Sequence, residues 1–345
     1  MTMLNACVGR TRTLLLAAGA FVLPFLADTA LAKDVVVRFA TLQSPQHELS
    51  VEMNKAFERI KQETEGRVSF QVFYGNGSGF AAKQYVSALE FGMLDGGLIA
   101  TSASALEYPW LGVYGIPFLA PDIHARQPML EATRPMLEEF SRDHKIVPLA
   151  YPLHLDKWLV IYSNKDIQSL ADFKGMLIRT YDPNTNAIVT AVGAVPASIQ
   201  KSEIYMALQR RTIDGAITGI TAAKEMKLDE VIGNVVQLDV MFLPHILGLN
   251  QKVWDEIDAK DQEIVRKVFA AWEQDFSKLG TDPALSGDPY AYAAGHGMKV
   301  IVPGDDIQQV FQKIHEQAVA EFVAKDKKAA KAYEAIKAAR SALSN

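Results

Sequence analysis

The stretch Leu170 to Gly219, LADFKGMLIRTYDPNTNAIVTAVGAVPASIQKSEIYMALQRRTIDGAITG, decides the fold. Met176 to Ile178 is an apolar run set just after a glycine, Asp182-Pro183-Asn184 is a turn, and Ala187 to Val192 reads as a helix closed by Gly193. The unit then repeats. Val195 to Ile199 is extended, Ser202 to Gln209 is helical, and Ile213 to Ile217 is a second apolar strand. Strands alternating with helices imply a parallel sheet, and the ligands of such sheets collect at the carboxyl ends of the strands. Arg179 stands at such an end, where the strand opens into a loop. Its guanidinium stays charged and offers a planar fork of donors that fits a carboxylate bidentately.

Working outward, Val35 to Thr41 reads as a strand, Glu48 to Thr64 as a helix with its apolar side on Val51, Phe57 and Ile60, and Val68 to Tyr74 as a second strand. A helix over Lys83 to Phe91 and a buried strand over Leu98 to Ala100 follow. Thr101-Ser102-Ala103-Ser104 is either a hydroxyl-lined ligand loop or a set of helix caps. Asp122 to His144 is helical, and Ile146 to Tyr151 is a strand heading for a crossing between two lobes. The tail from Asp306 to Leu343 is charged, alanine-rich and helical, a solvated packing element. No internal repeat or low-complexity linker is evident.

The amino terminus has the pattern of an export signal. Arg10 and Arg12 precede an apolar run, Leu14 to Ala27, which ends at Ala30-Leu31-Ala32, the small-x-small pattern of a signal-peptidase site. The apolar run is too short for a spanning helix, so residues 1–32 are expected to be removed and the mature chain to begin at Lys33 in the periplasm. Cys7, the sole cysteine, precedes the apolar run and is not placed as a lipid anchor; its loss excludes disulfides, thiol catalysis and cysteine-based zinc sites. Removal of two arginines and one aspartate with the leader leaves 33 basic and 39 acidic residues, a formal charge of −6. That balance argues against nucleic-acid binding, which needs a basic face. An anionic ligand must therefore be held by local charge. The remaining length suits two domains.

KGMLIRT followed by VGAVPASIQKSEIYMALQRRTIDG resembles the core signature of the solute-binding proteins of TRAP transporters, the dicarboxylate-binding (DctP-type) family. The likeness extends to Val35–Gly79, similar to the family's amino-terminal strand-helix-strand, to LEYPWLGVYGIPFL at Leu106–Leu119, and to VMFLPHILGLNQKVWDEI at Val240–Ile257, which resembles the return of the chain to the first lobe. What the resemblance implies is a two-lobed α/β receptor with a ligand cleft between its lobes and crossing hinge strands. Such a receptor closes on an organic acid and delivers it to small and large integral membrane subunits. Arg179 would then be the carboxylate anchor.

The departures from the family's pattern bear on the ligand. Thr218 takes the place of an asparagine after Asp214-Gly215, where Asp214 is expected to be structural. Lys157-Trp158 stands where a further arginine is common, so an aromatic wall replaces a charge. Lys201, just before Ser202-Glu203, replaces a phenylalanine, and Tyr181-Asp182 replaces Val-Pro. A lysine at a helix start is either a cleft ammonium or solvated. His47, after Pro45-Gln46, is at a position that often faces the cleft, with a surface helix cap as the alternative. Together with Thr101, Ser102, Phe80 and Glu203, these residues form the candidate ligand-binding set.

Competing chemistry has thin support. Gly77-Ser78-Gly79-Phe80-Ala81-Ala82 fits the G-x-G-x-x-A variant of a dinucleotide fingerprint, but no acid follows about 20 residues on to hold a ribose. Its alternative reading is a flexible turn that brings backbone amides near the cleft. The seven histidines never fall at metal-site spacing, and no G-x-S-x-G elbow occurs. The sequence therefore predicts a monomeric binding protein with no cofactor, no metal and no catalytic residues. Its ligand is a small organic acid, with a monocarboxylate bearing an apolar or aromatic body favoured by Trp158, Tyr181 and Thr218. Lobe I is expected over 33–155 plus about 245–303, and lobe II over 156–244 plus the helices of about 304–345. A receptor for an ABC importer or a sensor is the alternative in the same fold; a periplasmic hydrolase or dehydrogenase is the alternative from another class.

Overall fold

The computed structural model describes residues 34–75, 77–120, 123–153, 159–238, 243–281 and 289–343. The expected leader lies outside these residues, as do Lys157 and Trp158. No helix among the described residues is long and apolar enough to cross a membrane.

Two sheets carry the fold. The first contains β1 (Val35–Thr41), β2 (Val68–Tyr74), β3 (Gly96–Ala100), β4 (Ile146–Ala150) and β10 (His245–Asn250), in the spatial order β2-β1-β3-β10-β4. The second contains β5 (Leu159–Ser163), β6 (Leu177–Thr180), β7 (Val195–Ser198), β8 (Gly215–Gly219), β9 (Asn234–Val236) and β11 (Lys299–Ile301), in the order β11-β9-β5-β8-β6-β7. As the strand-helix repeat predicts, β1 is parallel to β2 and β3, and β6 is parallel to β7 and β8. Each sheet also receives one antiparallel strand from the other lobe. β5 runs against β8 and β9, and β10 runs against β3 and β4. The two crossing segments pair where they pass: Leu153 bridges Pro244, and the His245 amide donates to the Pro152 carbonyl at 2.9 Å.

Both faces of each sheet are covered, which is why the strands read as near-continuous apolar runs. In the first sheet Val37, Phe39, Leu98 and Leu247 face one core, and Ala40, Ile99 and Ile246 face another. In the second, Ile161, Ile178, Ile217 and Val236 face one core, and Val160, Tyr162, Ala216 and Val235 the other. Gly215 is required by this packing, since a Cβ there would collide with the carbonyl of Tyr162 on the adjacent strand. Gly193 has φ +84° and closes the helix Pro183–Ala191, in the left-handed conformation that glycine adopts without penalty.

Several expectations shift. Val51 is 41% exposed, whereas Phe57 and Ile60 are buried as expected and Leu49, Met53 and Ala56 complete the buried side of the helix Glu48–Glu63. The hydroxyl run 101–104 is a single helical turn, Thr101–Ser104, not a loop. β11 hydrogen-bonds to β9, and Ala293 and Met298 join a core of the second sheet, so Ala293 to Ile301 pack with that sheet. The tail is two helices, and it is not merely solvated. Asp305–Val323 buries Ile307, Phe311 and Ile314 against the second sheet, whereas Phe322 and the Ala329, Ala332 and Ile336 of Lys327–Leu343 are buried in a core of the first. An apolar face within an alanine-rich helix was enough to anchor it.

Candidate ligand cleft

Arg179 is the third residue of the short β6, level with Ala197 on one neighbouring strand and Ala216 on the other. Side chains at register positions of parallel strands share a face and alternate along each strand. Arg179 therefore lies on the face of Leu177, Tyr162 and Ala216, and Thr218, two residues past Ala216, lies on that face about 7 Å further along.

The chain holds the guanidinium from behind. Nε donates to the carbonyl of Ile199 at 2.9 Å and Nη1 to the carbonyl of Ile217 at 3.1 Å. These bonds take two of the five N–H donors of the guanidinium. The Tyr181 ring lies 5.2 Å from the guanidinium carbon, within cation–π range. Arg179 is only 7% exposed, and burial lowers its pKa below the ordinary arginine value, with Tyr181 and Asp182 opposing. No carboxylate among the described residues forms an ion pair with it. A buried cation is costly to keep charged, even with carbonyl dipoles, a ring and the nearby Asp182 carboxyl beside it, and a carboxylate ligand would offset that cost.

Asp182 caps the helix Pro183–Ala191, with its Oδ1 accepting from the amide and the hydroxyl of Thr185, both at 2.7 Å. Burial raises its pKa above the usual carboxylate range, opposed by the Thr185 bonds and by Arg179. Tyr181 and Asp182 line a cavity of about 290 Å³ together with Ser102 and Gly115 of the first lobe and Phe322 and Lys325 of the tail helices. The structure thus brings together three sequence candidates, Ser102, Tyr181 and Asp182, from both sides of the cleft.

Other candidates are engaged by the chain itself. Thr101 is buried and donates to the carbonyl of Pro244 at 2.7 Å, bracing a crossing segment. His47 caps the helix Glu48–Glu63 through Nδ1, which accepts from the Leu49 amide at 3.2 Å, and at 1% exposure it is a buried cap and not a surface one. Phe80 is half-buried against a core of the first lobe, and the turn before it leads through a 3-10 turn, Ala82–Gln84, into the short helix Tyr85–Glu90. Lys201 Nζ pairs with Glu225 at 3.0 Å with its side chain 47% exposed. Glu203 is exposed and accepts from the Gln200 amide at 3.4 Å in a capping box. Asp214 has the structural role expected of it, accepting from the Leu177 amide at 3.0 Å. Among the described residues no cluster of three or more His, Cys, Asp or Glu is placed to hold a metal.

Residues 37–326 match the model of the bacterial extracellular solute-binding protein family 7 (DctP). The chain belongs to that family. It is similar to an uncharacterised protein of Haemophilus influenzae, 26% identical over 286 residues that cover 81% of this chain and 84% of that one. It is also 26% identical over 253 residues to the C4-dicarboxylate-binding periplasmic protein DctP of Rhodobacter capsulatus, covering 71% and 74% of the two chains. The fold is that of an extracytoplasmic solute receptor of Bordetella pertussis binding pyroglutamic acid, with a TM-score of 0.78 at 19% identity over 88% of this chain and 99% of that one. Family 7 members of the TRAP type are thus the relatives that the sequence signature pointed to, and members of this family are receptors that bind solutes.

Sequence reasoning missed the contacts that tie the lobes of this family 7 chain together. Asn184 Nδ2 donates to the carbonyl of Gly115 at 2.7 Å, and His315 Nδ1 lies 2.8 Å from the carbonyl of Pro117. The backbone carbonyls of Ile199 and Ile217 behind Arg179 were equally invisible, because any residue could supply them.

Proposed function

We propose that this protein is the periplasmic receptor of a TRAP transporter, which captures a small organic acid by its carboxylate on Arg179 and hands it to the small and large membrane subunits. The observation that carries the reading is the guanidinium itself. It is buried, fixed by two carbonyls that take two of its five donors, and in no ion pair with a described carboxylate. Thr218 lies on the same face and would take a polar group of the ligand. Tyr181 offers an apolar wall, and Ser102 with Asp182 lines the adjoining cavity from the two lobes. The pairing of Lys201 with Glu225 favours a monocarboxylate, because that ammonium already has a counter-charge. Binding and closure are the whole mechanism: a ligand that touches both lobes prefers the form in which both contacts are made. No chemical step is assigned to any residue, and export by the leader is part of the proposal.

Mass spectrometry of the purified protein after denaturation would identify the acid that co-purifies. Small-angle scattering with and without that acid should give a smaller radius of gyration when it is bound, with the acid recovered intact. A converted product would make the protein an enzyme, and an unchanged radius would argue for a rigid site within one lobe.

A further inference from the structure

The segment Gly115-Ile116-Pro117-Phe118 belongs to the first lobe by its flanks, since Ile116, Leu119 and Ala120 are buried in a core of the first sheet. Phe118 departs from its neighbours. Its ring packs against the core of the second sheet that holds Ile307, Phe311 and Ile314, stacked on Phe311 with centroids 4.6 Å apart and planes 24° from parallel. Its backbone has φ +60°, a left-handed conformation that is uncommon for any residue with a Cβ and is maintained only where surrounding contacts fix it. The carbonyls on either side of this segment are held as well. Asn184, in the first turn of the helix Pro183–Ala191, donates to the Gly115 carbonyl, and His315, one turn after Phe311, lies 2.8 Å from the Pro117 carbonyl. One short strap of the first lobe is therefore gripped by two helices of the second, Pro183–Ala191 and Asp305–Val323.

We propose that this strap is a latch that sets the angle between the lobes independently of the ligand, with Phe118 as a pin from the first lobe lodged in the core of the second. A change in lobe angle must move the pin relative to Phe311, so the fit of this one ring biases the ratio of open to closed forms. The proposal does not depend on which acid is bound, or on Arg179 binding it.

The test needs no ligand. The mature chain contains no cysteine, so a spin-labelled pair at the exposed Lys61 and Arg210, one on each lobe, reports the interlobe distance of protein unfolded and refolded to strip any bound acid. Phe118→Ala should shift or broaden the distance distribution relative to the unsubstituted pair, and Phe311→Leu should move it in the same direction by less. Phe57→Leu, in a core of the first sheet only, serves as the control and should leave the distribution in place. Should Phe118→Ala fail to fold, Phe311→Leu decides the question. Distributions unchanged in the folded pin variants, or shifted equally by Phe57→Leu, would overturn the latch.

Discussion

At the cleft ends of the first sheet, the polar side chains bond to the chain itself: Thr101 to the Pro244 carbonyl and His47 to the Leu49 amide. At the corresponding end of the second sheet, Arg179 is bonded to two backbone carbonyls, of Ile199 and Ile217. The two lobes share a design of parallel strands with one antiparallel strand from the partner lobe, yet they divide the labour. The first is a braced wall, and the second holds the buried charge on which the proposed function rests. The difference arises from donor number, because a hydroxyl has a single donor to place whereas a guanidinium has five and here commits two to carbonyls.

The sharpest way to break this comparison is at the charge. Arg179→Lys should retain the fold and weaken binding of the co-purified acid tenfold or more, since a point charge cannot reproduce a fork whose charge-assisted contact is worth about 1.5–3 kcal/mol. Calorimetry decides it, and an unchanged dissociation constant would remove Arg179 from the site. The matching substitution in the first lobe, Thr101→Val, should affect stability more than affinity.

Asp182 tests whether the Arg179 end of the second sheet is also structural. Loss of the cap in Asp182→Ala should cost about 1 kcal/mol, a fall in Tm of roughly 2 °C for a chain of this size. The pH dependence has a defined sign. Burial raises the folded pKa, so the folded state binds more protons than the unfolded one in the window above the ordinary carboxylate value. The stability of the wild type relative to Asp182→Asn should therefore be greatest below that window and fall as pH rises through it. A flat difference in chemical denaturation across the window would show that the carboxyl is not desolvated.

A comparable effect is expected at the strap, in an unusual order. At φ +60° a Cβ costs about 1 kcal/mol that glycine avoids, so Phe118→Gly should melt above Phe118→Ala although both lack the ring. The reverse order would mean that the backbone leaves the left-handed region once the ring is gone. Least of all should Lys201→Met matter: its ammonium is half exposed and paired with Glu225, an arrangement worth little. Affinity for the acid should stay within twofold, and a selective loss of diacid binding would place Lys201 in the cleft.

The apolar run of Val35–Thr41 and the strand-helix-strand rhythm around Arg179 were legible because they are local; they depend on a β-branched run, a glycine stop and a cap within a few residues. The cap potential of Asp182 and the structural part of Asp214 belong to the same class. Chain composition by itself also fixed the charge balance and the absence of cysteine after residue 7. What only the tertiary structure decided involves partners far apart in sequence. The carbonyls behind Arg179 lie 20 and 38 residues away, the Pro244 carbonyl that engages Thr101 lies 143 away, and the tail turns out to join both lobes because its apolar residues meet two different cores. Backbone carbonyls carry no residue identity and apolar side chains do not name the core they enter, so neither kind of contact leaves a mark in the order of the amino acids.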